Sequence, residues 1–242
     1  MHEARKDWLL CDFHIHTDIS DGKLPLPEVV DLFGKNGFDV ICITDHVYDK
    51  DTIKLWVDNN ERPCTIHKEK FSDYMHLLSQ EAKRAWEKYS MLVLPGIEIS
   101  NNPALFHLIG LDIKEYINPN QSVEDIVNQI HGQNAVAIAC HPHYKDSEPE
   151  MPFIHLWENH ERYANLFDAW EVANRDDLFN VIGLKRFNYI AGSDFHEPRH
   201  VYSWKTLIRS EKNTKAIKEA IRENRNIAIY LFRKERAMQK RH

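Results

Sequence analysis

The segment Trp8-Leu9-Leu10-Cys11-Asp12-Phe13-His14-Ile15-His16 is an apolar run that ends in two histidines spaced by two. Near the other end, Tyr189-Ile190-Ala191 leads through Gly192-Ser193 into Asp194-Phe195-His196, an apolar run followed by a carboxylate and an imidazole. Short apolar runs of this kind read as buried strands. Side chains just past parallel strand ends meet at one mouth of a β/α barrel, so residues from opposite ends of the chain can share a metal ion.

Five more runs have the same character: Val40–Thr44, Met91–Leu94, Leu105–Ile109, Ala135–Cys140 and Ala169–Val172. Helical spacing lies between several of them. Leu26, Val29, Val30 and Phe33 form one stripe that stops at Asn36-Gly37, and Val123, Ile126, Val127 and Ile130 form another after Ser122, with Asp125 as its capping partner. Phe71, Met75, Leu78, Ala82 and Ala85 mark a longer helix, and Ala216, Ile217, Ala220 and Ile221 mark the last, after Thr214. Strands alternating with helices predict parallel pairing through right-handed crossovers, and about seven such strands predict a closed or nearly closed barrel. The alternative, an open doubly wound sheet, lacks its phosphate-binding glycine loop after the first strand, where His14 and His16 stand instead.

No linker, repeat or low-complexity stretch divides the 242 residues, so one domain over 1–242 is expected. A 43% apolar content supports a full core, and a net charge of -6 gives no general pull toward nucleic acid or anionic membrane. From about Arg233 the balance reverses, with Lys234, Arg236, Lys240 and Arg241 forming a short basic tail. Cys11, Cys42, Cys64 and Cys140 contain no C-x-x-C pair, and neither a signal-type stretch nor a run of some 18 apolar residues occurs. A cytoplasmic protein that does not enter a membrane is expected.

In order, the strand ends supply His14 and His16, then Thr44-Asp45-His46, Glu98, His107, His141, and finally Asp194 and His196, with Asp21 soon after the first pair. A lone histidine after a strand is a weak signal. The joint placement is strong, because His67, His76 and His131 fall in helical patterns while the others gather at strand ends. Imidazoles and carboxylates in this number exceed what one ion needs.

The order Cys11-Asp12-Phe13-His14-Ile15-His16-Thr17, Ser20-Asp21-Gly22, Ile43-Thr44-Asp45-His46, Gly96-Ile97-Glu98, His107-Leu108-Ile109-Gly110, His141-Pro142 and Gly192-Ser193-Asp194-Phe195-His196 resembles the polymerase and histidinol phosphatase (PHP) family. The resemblance runs from about Trp8 to Ile229. It implies a distorted seven-stranded (β/α)7 barrel of TIM type, with three divalent ions, zinc, manganese or iron, at the C-terminal mouth. Carried over residue by residue, it implies His14, His16, Glu98 and Asp194 on the first metal, and Glu98, His107 and His141 on the second. Asp21, His46 and His196 would hold the third. His14, His16, Glu98 and Asp194 would then be the catalytic set, with Glu98 as a bridge, since a carboxylate has two oxygens. Relatives often carry a basic residue just after the His-Pro pair, where this chain has His143-Tyr144-Lys145.

Clustered divalent ions make hydroxide available near neutral pH and neutralise charge on a transferring phosphoryl group, so a phosphate ester is the expected substrate. His143, Lys145, Arg199 and His200 flank the ligand motifs and are the expected phosphate contacts. The leading expectation is a phosphomonoesterase acting on a nucleotide or another small phosphorylated metabolite. The alternative is a phosphodiesterase or 3′–5′ exonuclease on DNA or RNA, guided by the basic tail and assisted by a partner protein.

Overall fold

The computed structural model describes residues 7–142, 153–179 and 183–233. His143, Lys145 and all of the basic tail but Arg233 lie outside these residues. The strands are β1 (Leu9–Asp12), β2 (Val40–Ile43), β3 (His46–Tyr48), β4 (Leu92–Asn101), β5 (Phe106–Leu111), β6 (Val136–Ala139), β7 (Ala169–Asn174), β8 (Asp177–Leu178), β9 (Tyr189–Gly192), β10 (Trp204–Ile208) and β11 (Ile227–Leu231). The helices are α1 (Leu26–Lys35), α2 (Lys50–Asp58), α3 (Phe71–Tyr89), α4 (Val123–Gly132), α5 (His155–Glu158), α6 (His160–Tyr163), α7 (Gly183–Arg186) and α8 (Thr214–Glu223).

All eleven strands join one curled sheet, ordered β11-β10-β1-β2-β4-β5-β6-β7-β8, with β3 on β4 and β9 on β7. The expected seven-stranded parallel barrel is thus replaced by a mixed α/β sheet. β1, β2, β4, β6, β7 and β9 run the same way, whereas β5 runs against both neighbours and β10 against β1 and β11. The reversal of β5 has a local cause. Only Asn102–Leu105 separate β4 from β5, too few residues for the crossover that parallel strands need, so the two form a hairpin.

Alternation along the strands separates two cores. Cys11, Val40, Cys42, Leu94, Ile109, Leu111, Val136 and Ile138 fill the inside of the curl together with Ile217 and Ile221 of α8. Leu10, Ile41, Ile43, Val93, Leu108 and Ala137 face outward toward the apolar stripes of α1, α3 and α4. α8 plugs the end opposite the mouth, where Lys218 Nζ reaches Asp112 Oδ2 at 2.5 Å just past β5 and the Asn134 carbonyl at 2.8 Å just before β6. Its N-cap is Asn213, whose side chain accepts from the Ala216 N–H at 2.9 Å, one residue before the expected Thr214. Ser122 caps α4 as expected, accepting from Asp125 N–H at 3.1 Å and donating to its carboxylate at 2.7 Å. Among the described residues no helix is long and apolar enough to cross a membrane.

Candidate metal centre

The open mouth of the curl collects all nine candidate ligands. His14 and His16 follow β1, His46 opens β3 just after β2, Glu98 lies within β4, His141 follows β6, and Asp194 and His196 follow β9. His107 arrives differently from the expectation that it ends a strand. It is the second residue of β5, and because that strand is reversed its beginning lies at the mouth, with His107 paired to Ser100 of β4. Asp21 projects from the Thr17–Gly22 turn, closed by the Gly22 N–H donating to the Thr17 carbonyl at 2.9 Å.

Glu98, fully buried, is the hub. Its Oε1 lies 2.8 Å from His107 Nδ1 and 3.1 Å from His141 Nε2. Its Oε2 lies 3.0 Å from both His14 Nε2 and His16 Nε2 and 3.4 Å from His46 Nδ1. Among the described residues four groupings have ligand atoms within 4.8 Å of one another: His14 with Cys140 and His141; His14 with Glu98, His141 and Asp194; His46 with Glu98 and His107; and His16 with Asp21, His46 and His196. The last contains the expected third set and adds His16 to it.

Most of the imidazoles have one nitrogen fixed by the protein and the other aimed at the cluster. His14 Nδ1 lies 3.1 Å from Glu171, His46 Nδ1 2.8 Å from Ser100 Oγ, His107 Nε2 3.0 Å from Asn102 Oδ1 and His196 Nδ1 2.9 Å from the Asp194 carbonyl. Such contacts select the tautomer that leaves the inward nitrogen with a lone pair. His16 differs: neither buried ring nitrogen makes a well-aligned hydrogen bond, and both face carboxylates of the cluster, Nε2 lying 3.0 Å from Glu98 Oε2 and Nδ1 3.8 Å from Asp21 Oδ1, an arrangement that a cation between them would satisfy. Together with a donor set of imidazoles and carboxylates, beside which burial keeps the Cys140 thiol protonated, this fits borderline divalent ions such as zinc, manganese or iron.

The electrostatics agree. Burial disfavours the Glu98 carboxylate, yet His46, His14 and His107 hold its pKa well below the ordinary range. Burial opposes charge on His16 as well, but Asp194 and Glu98 raise its pKa to about 9. Burial drives His46 down to about 3 against the pull of Glu98 and Asp21, so it stays neutral and able to ligate. Three of the ten non-glycine residues with positive φ among the described residues lie here. His141, Arg175 and Asp194 have φ of 24°, 49° and 47°, a left-handed region costly for residues with a Cβ.

Four residues that sequence reasoning passed over, or left undecided, hold the ligands in place. Glu171 of β7 spans His14 Nδ1, the His141 N–H at 2.7 Å and Asn174 Nδ2 at 2.9 Å. A bulge between Glu171 and Ala173 allows Glu171 and Asn174, three residues apart, to point the same way. Gly192 packs so closely that a Cβ there would overlap the Glu171 carboxylate. Asp12 of β1 accepts from the Ser193 N–H at 3.0 Å and the His14 N–H at 3.3 Å, and its other oxygen meets Lys205 Nζ of β10 at 2.9 Å, both side chains fully buried. This pair ties the first ligand segment to the last. Asp45, undecided between ligand support and turn cap, accepts from Thr17 N–H, Thr17 Oγ1 and Ser20 Oγ at 2.7, 2.8 and 2.7 Å and so shapes the turn that carries Asp21. The charged residues inside apolar strands, Glu171 and Lys205, were themselves the readable signal.

The centre opens into a cavity of about 1070 Å³ that Arg175 and His200 also line. Arg175, absent from the sequence-based candidates, stands just past β7 with a terminal nitrogen 3.3 Å from Asp194 Oδ2. His200 Nδ1 accepts from the His196 N–H at 3.1 Å, and burial with Arg175 nearby lowers its pKa to about 4. Arg199 is 81% exposed, pairs with Glu197 and lines a neighbouring cavity of about 400 Å³.

The model of the PHP domain matches residues 12–228. Among curated proteins none matches the chain. A two-domain protein of Bacteroides vulgatus, described as containing a predicted PHP-like metal-dependent phosphoesterase, superposes with a TM-score of 0.68 at 24% identity over 93% of this chain. The chain spans 65% of that protein. An amidohydrolase of Chromobacterium violaceum, solved with sulfate and no metal, superposes with a TM-score of 0.50 at 15% identity, covering 78% of this chain and 88% of its own.

Proposed function

The chain belongs to the PHP domain family of metal-dependent phosphoesterases, and on that premise we propose that it is a cytoplasmic phosphomonoesterase whose three divalent ions, zinc, manganese or iron, sit at the mouth of the sheet. The observation that carries this reading is the Glu98 hub, both of whose oxygens face imidazoles supplied from separate strands. His14, His16, Glu98 and Asp194 form the first set, Glu98, His107 and His141 the second, and Asp21, His46 and His196 the third. His16 groups with the third set, while its Nε2 also lies 3.0 Å from Glu98 and 3.5 Å from Asp194 of the first. When bound, the ions supply an acidified water and positive charge toward a phosphoryl group.

This chain's own residues then orient the ester. Arg175 offers a phosphoryl oxygen a guanidinium that Asp194 already steers toward the centre. His200, uncharged at neutral pH, holds the His196 backbone and borders the cavity. Glu171 and the Asp12–Lys205 pair keep the ligand segments in register. His143 and Lys145, outside the described residues, and Arg199, on the neighbouring cavity, remain in the reading as outer phosphate contacts. The nuclease alternative drew on the basic tail, of which only Arg233 lies within the described residues.

The test is release of inorganic phosphate by manganese-loaded protein from nucleoside monophosphates, nucleoside bisphosphates, histidinol phosphate and a 5′-phosphorylated oligonucleotide. Release from a small ester is expected, and Asp194→Asn should abolish it while the circular dichroism stays native. Near-normal turnover in that variant would refute the metal-centred reading.

A further inference from the structure

Three imidazoles at the mouth lie side by side in a bent row. The ring of His16 stands 4.4 Å from that of His46 and 4.2 Å from that of His196, and the outer two are 6.2 Å apart. Each outer imidazole touches one further residue that lines the cavity. At the His196 end, an Arg175 terminal nitrogen lies 3.4 Å from His196 Nδ1. At the His46 end, the Tyr48 ring lies 4.5 Å from the His46 ring. The row therefore carries a guanidinium at one end and a phenol at the other, both hydrogen-bond donors.

Strand geometry puts the phenol there. His46 and Tyr48 are two apart on β3, so both side chains leave the same face of the strand, and the ladder to β4 pairs them with Glu98 and Ser100. The Tyr48 N–H donates to Thr65 Oγ1 at 3.0 Å, and Trp56 of α2 stands edge-on to the ring at 4.8 Å. Trp56 and Leu55, the latter 59% exposed, form the α2 wall of the cavity.

These contacts hold the ring and leave the hydroxyl unused. It bonds to no described residue. Four other tyrosine hydroxyls are engaged by the protein: Tyr74 Oη donates to the Gly96 carbonyl at 3.0 Å, Tyr89 Oη to Asp31 Oδ1 at 3.0 Å and Tyr189 Oη to the Ile227 carbonyl at 3.2 Å, while Tyr163 Oη lies 3.2 Å from His155 Nε2. Packing alone would be served as well by a phenylalanine, which has no polar atom to desolvate.

Resting on the phosphoesterase reading, we propose that Tyr48 is a further catalytic residue, its hydroxyl donating a hydrogen bond to one non-bridging phosphoryl oxygen while Arg175 donates to another. A donor already fixed by its ring contacts needs no reorganisation as the phosphoryl group passes to water. In that step the phosphorus–oxygen bond to the alcohol breaks as a water oxygen bonds to phosphorus. One proton of the water ends on the alcohol, and the phenol keeps its own.

The experiment is Tyr48→Phe, which removes the hydroxyl and keeps the ring, on the metal-loaded full chain. For the ester of the phosphate-release panel that turns over fastest, kcat/KM is expected to fall about 10- to 100-fold. The calorimetric Kd for inorganic phosphate should rise about tenfold, with bound manganese per chain and the unfolding midpoint as in the wild type. A kcat/KM within about twofold of wild type overturns the proposal. So does loss of manganese from the variant, because the hydroxyl then serves the ligands and not the substrate. If no ester is hydrolysed, the phosphoesterase reading fails, and phosphate binding still decides the role of Tyr48: binding weakened by Tyr48→Phe supports it, and binding that is equal in both proteins, or absent from both, overturns it.

Discussion

On the ligand wall of the cavity, polar side chains are held by second partners inside the protein, whereas on the α2 wall the side chains touch one another and open space. Glu171 secures His14 and the His141 backbone, Asp45 secures the Asp21 turn, and Lys205 secures Asp12. Leu55 and Trp56 have no such backing. Positions that must converge to tenths of an ångström are over-determined, while positions that contact a ligand body through dispersion tolerate adjustment. The same contrast separates what can be broken by a single atom from what can be reshaped.

The largest effect is expected beneath the ligand wall. Lys205→Met leaves the Asp12 carboxylate buried without its cation and should cost roughly 3–5 kcal/mol in denaturant unfolding. A loss within about 0.5 kcal/mol would show that the pair does not brace the fold. Glu171→Gln keeps the shape and removes the charge behind His14, so metal retention against a chelator should weaken about 10- to 100-fold with little change in unfolding midpoint. Unaltered retention would make Glu171 a packing residue only.

Proton linkage gives a smaller but directional effect. In metal-free protein, burial opposes the His16 charge, yet Asp194 and Glu98 raise its pKa to about 9, so the stability it adds is complete below about pH 6.5 and lost as pH rises through 9. Metal must displace that proton, so stability in saturating metal should instead improve over the same range. Paired unfolding curves from pH 6 to 9, with indicator-detected proton release on adding manganese, measure it. Parallel slopes with and without metal would remove His16 from the ligands. The smallest effect belongs to the other wall, where Leu55→Ala should move stability by no more than about 0.5 kcal/mol, because its side chain is mostly exposed. A cost above about 2 kcal/mol would mean that the wall serves the fold.

Much of this was legible in the sequence, and the rest had physical reasons to be hidden. The apolar runs and helix stripes fell where β1, β2, β6, β7, β9, α1, α3, α4 and α8 stand, because burial on both faces makes a short strand apolar throughout and burial on one face gives a helix its 3.6 period. The nine ligand candidates could be named because imidazoles and carboxylates recur near the strand ends in an order that resembles the family's, although Asp21 stands in a turn, Glu98 within β4 and His107 at the start of β5. Strand direction was not legible, since an apolar run such as Leu105–Ile109 reads alike in both directions and only the length of the Asn102–Leu105 turn distinguishes a hairpin from a crossover. α2 escaped because it buries almost nothing, and therefore leaves no apolar period. Arg175 escaped because its position depends on the bulge in β7, which no spacing rule reveals.

The hairpin that places His107 also sets the order in which the site can come into being. Glu98 and His107 are nine residues apart and meet once a single turn closes. Asp12 and Ser193 are separated by 181 residues and His14 and Glu171 by 157, contacts that wait for the whole sheet to curl and carry the larger loop-closure entropy. A folding chain thus brings two of the nine candidate ligands together early and the rest last. Full metal occupancy is accordingly a report that the segments after β1 and β9 have met, and a chain stalled before that closure holds its ions loosely enough for a chelator to tell the two states apart.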